Sequence, residues 1–292
     1  MLTVTLNTGA VMPMLGYGVF QTPPDETARC VRDALEVGYR LIDTAQSYGN
    51  EAGVGQGVSD SGIAREDVFL TTKISPSNMN HDRAAASLEQ SFKDLRTDYI
   101  DLVLLHQPIG DYPGAYRALE EAVDAGQVRA IGVSNFYPER LIDIALLTRI
   151  PPAVNQVETH PFRQESAAHE QMTSLKIIHE AWAPFAEGRG GIFTHPTLTR
   201  IGAAHGKTAG QVALRALMQQ GVVVIPKSVR RERMVENFDV FDFVLDEAEM
   251  QAFASIDDGA FPRIFDHHDP GMIQWLVEER VKNSALGGGH LF

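Results

Sequence analysis

Cationic residues are scarce in this chain of 292 residues, in which 25 lysines and arginines face 38 acidic residues for a net charge of −13. Such a surface repels polyanions, which argues against nucleic acid and anionic membranes as partners, so a phosphate-bearing ligand requires a local basic patch. Cysteine is scarcer still. The single Cys30 cannot close an intramolecular disulfide, in keeping with a reducing cytoplasm. No apolar run is long enough to span a bilayer, and the opening MLTVTLNTGAVMP lacks the basic start and continuous apolar stretch of a secretory signal. A cytoplasmic protein is the expectation. A dinucleotide-binding Gly-x-Gly-x-x-Gly after a strand is also missing: the GVGQG of residues 53–57 falls in a loop-to-helix segment and reads as structural.

What the chain does have is a regular beat. Short apolar runs at 15–20, 40–45, 68–73, 101–106, 128–134, 153–158, 176–182 and 222–228 alternate with segments of helical period such as DRAAASLEQSFKDL. Eight β/α units without a Pro/Gly/Ser-rich linker predict an α/β fold of the (β/α)8 TIM-barrel kind, with residues 1–292 as a single domain. A doubly wound two-domain enzyme is the alternative on this pattern. Two segments stand outside the beat. Residues 1–14, alternating about Asn7-Thr8-Gly9, predict a β-hairpin that plugs the bottom of the barrel, and the tail from Asp257 to Phe292 is expected to cover its top.

In such barrels the carboxyl ends of the strands form the active-site face, so the polar residues that close apolar runs are the candidates. They are Asp43 and Tyr48 in LIDTAQSYGNE, Lys73 closing LTTK, and His106 closing DLVLLH. Consecutive strands supply all four, and neighbouring strand ends converge. A phenol of unperturbed pKa about 10 ionises more readily beside an ammonium, and a carboxylate holds that ammonium in place. Asp43, Lys73 and Tyr48 suit that relay. Tyr48 would then give a proton to an oxygen gaining negative charge, with neutral His106 orienting the same oxygen. This implies carbonyl reduction, and since none of the four is a hydride source, a reduced cofactor must supply one.

LIDTAQSYGNE, LTTK, YIDLVLLHQP, AIGVSNF, NQVETHP and VVVIPKSVRRERMVENF together resemble, in order and spacing, the aldo-keto reductase family, over the chain up to about residue 255. The resemblance is to its bacterial 2,5-diketo-D-gluconate reductase and methylglyoxal reductase branch. It implies a barrel that uses NADPH, with Asp43, Tyr48, Lys73 and His106 as catalytic residues and Tyr48 as general acid. It further implies that Ser134, Asn135 and Gln156 hold the nicotinamide carboxamide, that Trp182 stacks on the nicotinamide ring, that Lys227, Ser228 and Arg233 bind the adenosine 2′-phosphate, and that Glu236 and Asn237 lie against the adenine. The residues of PKSVRRER support the phosphate site directly: four cations beside a helix start, in an acidic chain, suit a phosphate monoester.

The chain also departs from the family pattern. Many members have tyrosine followed by Ser-Pro-Leu where this one has Trp182-Ala183-Pro184-Phe185, so the serine contact to the pyrophosphate must be replaced or made by backbone. EGRGGIF (187–193) is a glycine-rich candidate to close over the pyrophosphate, with Arg189 as its charge. Gln107 stands where many relatives carry tryptophan, which weakens any substrate preference carried over from them. Phe20, Tyr112 and Trp275 are the candidate substrate walls. No metal is expected, because adjacent histidines in Asp266-His267-His268-Asp269 point apart and lack a third ligand at helical spacing. His160 is expected to be structural, near Glu158, and the closing GGGHLF to be a mobile terminus.

Three readings follow, and the NADPH-dependent reductase, acting as a monomer on a small carbonyl compound, uses the most residues. A nucleotide-binding sensor on the same barrel would bind the cofactor with little turnover. An acid-base hydrolase or isomerase built on Asp43 and His106 would leave the basic cluster without a purpose.

Overall fold

The computed structural model describes residues 1–285, and the side chains of its last helix as far as Glu278. The closing GGGHLF lies outside the described residues. The strands β1 (Thr3–Thr5) and β2 (Val11–Pro13) pair antiparallel in the hairpin that the alternation predicts. Eight parallel strands follow, in order: β3 (Tyr17–Gly18), β4 (Leu41–Asp43), β5 (Phe69–Ile74), β6 (Ile100–Leu105), β7 (Val128–Ser134), β8 (Val154–Glu158), β9 (Ile178–Trp182) and β10 (Val223–Val224). Each strand pairs with its successor in sequence. The sheet closes on itself where Leu15 bridges Val224 and the Gly16 amide donates to the Val224 carbonyl at 2.8 Å. Closure removes both sheet edges.

Helices α1 (Pro24–Val37), α2 (Glu51–Asp60), α3 (His81–Leu95), α4 (Tyr112–Asp124), α5 (Glu139–Leu147) and α6 (Ser166–Ser174) follow the strands β3 to β8 in turn. After β9 come α7 (Pro196–His205) and α8 (Ala209–Gln219), and after β10 come α9 (Arg231–Phe238), α10 (Glu247–Ala254) and α11 (Pro270–Ala285). Their faces follow the sequence period. In α3 the buried residues Ala84, Leu88, Ser91 and Leu95 recur every three or four positions, and Asn80 caps the helix by accepting from the Arg83 amide at 2.9 Å. No helix among the described residues is long and apolar enough to cross a membrane.

The barrel interior is apolar at its floor and polar at its mouth. Leu6 and Met12 of the hairpin pack with Leu41, Phe69, Leu102, Leu104, Val154 and Val223 inside the strands, and Asn7 ties the hairpin down by donating to the Pro152 carbonyl at 3.1 Å. The plug therefore completes the core. Met12 is fully buried, so Met12→Ala is expected to cost about 2–5 kcal/mol, read in a denaturant titration as a lower midpoint at unchanged slope. A cost under about 1 kcal/mol would mean that the hairpin contributes little to the core.

Candidate active site

The carboxyl end of the barrel opens into a cavity of about 790 Å³ lined by Asp43, Tyr48, His106, Ser134, Asn135, Gln156 and Trp182, among others. Its catalytic candidates are assembled by strand register. Asp43 ends β4 and Lys73 stands on β5, where Thr71 is the partner of Asp43. Lys73 Nζ donates to Asp43 Oδ1 at 2.6 Å, to the Thr44 carbonyl at 3.0 Å and toward the Tyr48 hydroxyl at 3.4 Å. The lysine is fully buried. Burial alone would favour its neutral form, but Asp43 and the Tyr48 phenol outweigh that and hold its pKa above the ordinary lysine value.

Tyr48 comes from the short 3-10 turn Gln46–Tyr48, which is pinned from behind. Gln46 Oε1 accepts from the Ser75 amide at 2.9 Å and from Asn78 at 3.0 Å, and its amide donates to Ser91 at 3.1 Å. Ser91 in turn meets the buried Glu51, which also accepts from Thr72 at 2.6 Å. Burial pushes Glu51 up to about 7, against those two hydrogen bonds. The phenol position is thus fixed from helices α2 and α3. His106 follows β6, its ring centroid 5.6 Å from that of Tyr48 and its Nδ1 3.0 Å from the Ser47 hydroxyl. Ser47, beside Tyr48 in the sequence, went unread there because a loop serine carries no signal of its own.

The four cofactor candidates, on β7, β8 and β9 and at the residue just after β7, form one hydrogen-bonded row. Ser134 Oγ donates to the Gln156 carbonyl at 2.9 Å, and Asn135, in the left-handed region at φ 65°, donates to Ser134 Oγ at 3.0 Å and to the His106 carbonyl at 3.2 Å. Trp182 Nε1 donates to Asn135 Oδ1 at 2.9 Å, which fixes the indole as a wall of the cavity. The Gln156 amide donates to Asp43 Oδ2 and to Glu180 Oε2, both at 2.9 Å. Glu180, buried on β9, is a second residue that sequence reading missed.

The basic cluster lies beyond this row. Lys227 lines the cavity and donates to the Gln21 carbonyl at 3.2 Å. Ser228, Arg233, Glu236 and Asn237 do not line it. Ser228 Oγ accepts from the Arg230 amide at 3.1 Å, Arg233 pairs with Glu236, Glu236 accepts from Thr208 at 2.9 Å, and Asn237 is buried on α9. Arg189 also lines the cavity, paired with Glu187 at 3.0 Å in the glycine-rich loop.

Of the three expected substrate walls, Phe20 and Trp275 line the cavity, Phe20 with its ring centroid 5.0 Å from that of Tyr48. Tyr112 does not. It opens α4 behind the capping Asp111, which turns its side chain down between helices, where it is buried edge-on to Phe136 and donates to Asp143 at 3.2 Å. The tail supplies the missing walls: Ile264, Phe265, His267, Met272 and Trp275 all face the cavity. Its anchor is Glu158, fully buried, which accepts from the Ile264 amide at 3.0 Å and faces His160 Nε2 at 3.2 Å. His160 meets Glu158 through Nε2 as expected, while its buried Nδ1 has no hydrogen-bond partner.

The tail histidines make a ring contact and a hydrogen bond to the barrel loops. His268 packs on the ring of Tyr137, while His267 Nε2 meets Gln107 Oε1 at 2.6 Å. Burial, then repulsion from Arg263 and His268, pushes His267 down to about 3, so it is neutral at physiological pH. The Gln107 that departs from the family pattern is therefore matched by a tail residue. His267→Ala should release the tail over the mouth and raise KM for the carbonyl substrate about fivefold with kcat within about twofold of wild type, read by steady-state kinetics. An unchanged KM would show that the tail is held without this bond.

The model of the aldo/keto reductase family matches residues 9–190 and 192–258. An aldo-keto reductase of Mycobacterium sp. strain KMS is 44% identical over 88% of this chain and 94% of its own length. Methylglyoxal reductase DkgA of Escherichia coli strain K12 is 41% identical over 88% and 94%. Among solved structures, the Bombyx mori aldo-keto reductase in complex with NADP superposes with a TM-score of 0.87 at 32% identity, covering 94% of this chain and 96% of that one. On the matched barrel and its strand-end residues, the chain belongs to the aldo/keto reductase family.

Proposed function

We propose that this oxidoreductase reduces aldehydes and ketones, of the dicarbonyl or keto-sugar type, to alcohols with NADPH, and that Tyr48 is its proton donor. One observation carries the reading: a buried ammonium, held at 2.6 Å by Asp43, stands 3.4 Å from a tyrosine hydroxyl in the mouth of a barrel. The relatives agree, since one is a methylglyoxal reductase and a similar structure holds NADP. The cavity also fits the cofactor's reactive end. Trp182 offers a flat wall, and because Asp43 and Glu180 take both N–H groups of Gln156, its Oε1 is the atom left to accept from a carboxamide.

When bound, NADPH supplies the hydride. The chain supplies the rest. Ser134, Asn135 and Gln156 would orient the nicotinamide against Trp182, and Lys227, Ser228 and Arg233 would hold the adenosine phosphate, with Glu236 and Asn237 beside the adenine. Tyr48 and His106 would donate to the carbonyl oxygen. As negative charge develops on that oxygen, Tyr48 passes its proton to it, and the Lys73 ammonium stabilises the phenolate left behind. Asp43 keeps Lys73 charged and aimed. Phe20 and Trp275 would exclude water around the substrate. A monomer suffices for this chemistry, since every group named comes from one chain.

The test is NADPH consumption by the purified chain against methylglyoxal, phenylglyoxal, an aromatic aldehyde and 2,5-diketo-D-gluconate. Turnover of any of them supports the reading and begins to rank substrates. Tight NADPH binding without turnover across a wider carbonyl set would favour the sensor instead.

A further inference from the structure

Glu180 takes no part in the relay just described, yet it lies against it. The residue stands in the middle of β9, in register with Gln156 of β8 on one side and Val223 of β10 on the other, and it is completely buried. Strand parity puts it on the face of Trp182 and Ile178, toward the barrel interior. The charged groups that act on it are Asp43 of β4 and Lys73 of β5. Two carboxyl groups therefore share one cation.

The two carboxyls are not equally supported. Asp43 receives the Lys73 ammonium at 2.6 Å on Oδ1 and Gln156 at 2.9 Å on Oδ2, whereas Glu180 receives only Gln156, on Oε2, and its buried Oε1 has no hydrogen-bond partner. A buried carboxylate needs several donors or a cation to offset lost hydration. Asp43 has both, and Glu180 has one amide. Ionising both would leave two negative charges against one ammonium in a low-dielectric site. The proton therefore belongs to Glu180, and its pKa is raised by burial first and by Asp43 second.

We propose that Glu180 is a positioning residue of the reductase centre, a neutral carboxyl group that works with Asp43 to fix the Gln156 amide with its oxygen toward the cofactor pocket. Each carboxyl takes one of the two N–H groups, so the amide has a single satisfied orientation. Without Glu180, one N–H loses its acceptor and the amide is free to turn. A neutral Glu180 also leaves the Asp43–Lys73 pair balanced beneath Tyr48, so that no excess negative charge opposes loss of the phenolic proton. The inference rests on the reductase reading for what occupies the pocket.

The test compares Glu180→Leu and Glu180→Gln with wild type in binding NADP⁺ and its 3-acetylpyridine analogue, which lacks the carboxamide N–H, by quenching of tryptophan fluorescence. Wild type should prefer NADP⁺ by about tenfold. Glu180→Leu should lose most of that preference by weakening NADP⁺ alone, and Glu180→Gln, which retains an acceptor oxygen, should restore it. A Glu180→Leu that keeps the full preference overturns the proposal.

Melting curves provide a second arm that needs only Glu180→Gln. A carboxyl that holds its proton in the fold but loses it in the unfolded chain makes stability fall as pH rises above the unfolded carboxyl pKa. Glu180→Gln escapes that loss, so its melting temperature should gain on wild type by several degrees between about pH 5 and about pH 9. A gap independent of pH, or a variant less stable throughout, means that Glu180 is ionised and paired, and overturns the proposal. Neither arm requires turnover. A wild type that reduces no carbonyl would sink the proposed reaction, and either unchanged discrimination or a flat thermal gap would sink the role of Glu180.

Discussion

Tyr48→Phe is expected to lower kcat for carbonyl reduction by about 10³-fold while the dissociation constant for NADPH moves by less than about threefold. The variant removes one oxygen and little else. The ring stays packed against Phe20, with centroids 5.0 Å apart, and the Lys73 ammonium remains 5.1 Å from the ring centroid, so the cavity keeps its shape. What disappears is the hydroxyl 3.4 Å from Lys73 Nζ, the group able both to bond the carbonyl oxygen and to give it a proton. A loss confined to kcat identifies an interaction made in the transition state, whereas a loss confined to KM identifies ground-state binding. His106 is the rival donor. If it supplied the proton, Tyr48→Phe would retain activity within about tenfold and His106→Asn would carry the large loss. Pre-steady-state measurement of NADPH oxidation separates these outcomes from slow product release.

Much of this geometry was legible before the structure. Asp43, Lys73 and His106 each close an apolar run, and in a parallel barrel the end of a strand is a position in space as well as in sequence. The hairpin was legible because alternation about a turn is local. Tyr112 misled because a sequence shows its distance from His106 but not where the next helix begins. Asp111 captures the Gly114 amide at 2.9 Å and starts α4 there, which carries the ring under the helix layer. Glu180 was overlooked for a different reason: a lone glutamate in an apolar run reads as the solvent face of a strand. Parity held the missing signal. Once Trp182 is assigned to the cofactor side, the residue two positions earlier must share that side. The tie between Gln107 and His267 spans 160 positions, and only packing of the tail brings the two together.

The buried ion pair makes the second large prediction, because it couples stability to chemistry in a separable way. Lys73→Met leaves the Asp43 carboxylate, nearly inaccessible to solvent, without its cation. Breaking one side of a buried pair typically costs about 3–5 kcal/mol, which in a chain of this size lowers the melting temperature by roughly 5–8 °C. Turnover should fall by about 10³-fold or more as well, since Tyr48 then gives up its proton with no ammonium beside it. Adding Asp43→Asn removes the stranded charge. The double variant should recover more than half of the lost stability, because a neutral amide can still accept from Gln156, yet it should recover none of the turnover. Stability thus responds to the second substitution while catalysis does not, a result that simple misfolding of the site does not produce. If the double variant melts as low as Lys73→Met, the cost lies in packing rather than in charge. If it regains activity along with stability, the ammonium is dispensable, and the role assigned to Lys73 in moving the Tyr48 proton is wrong.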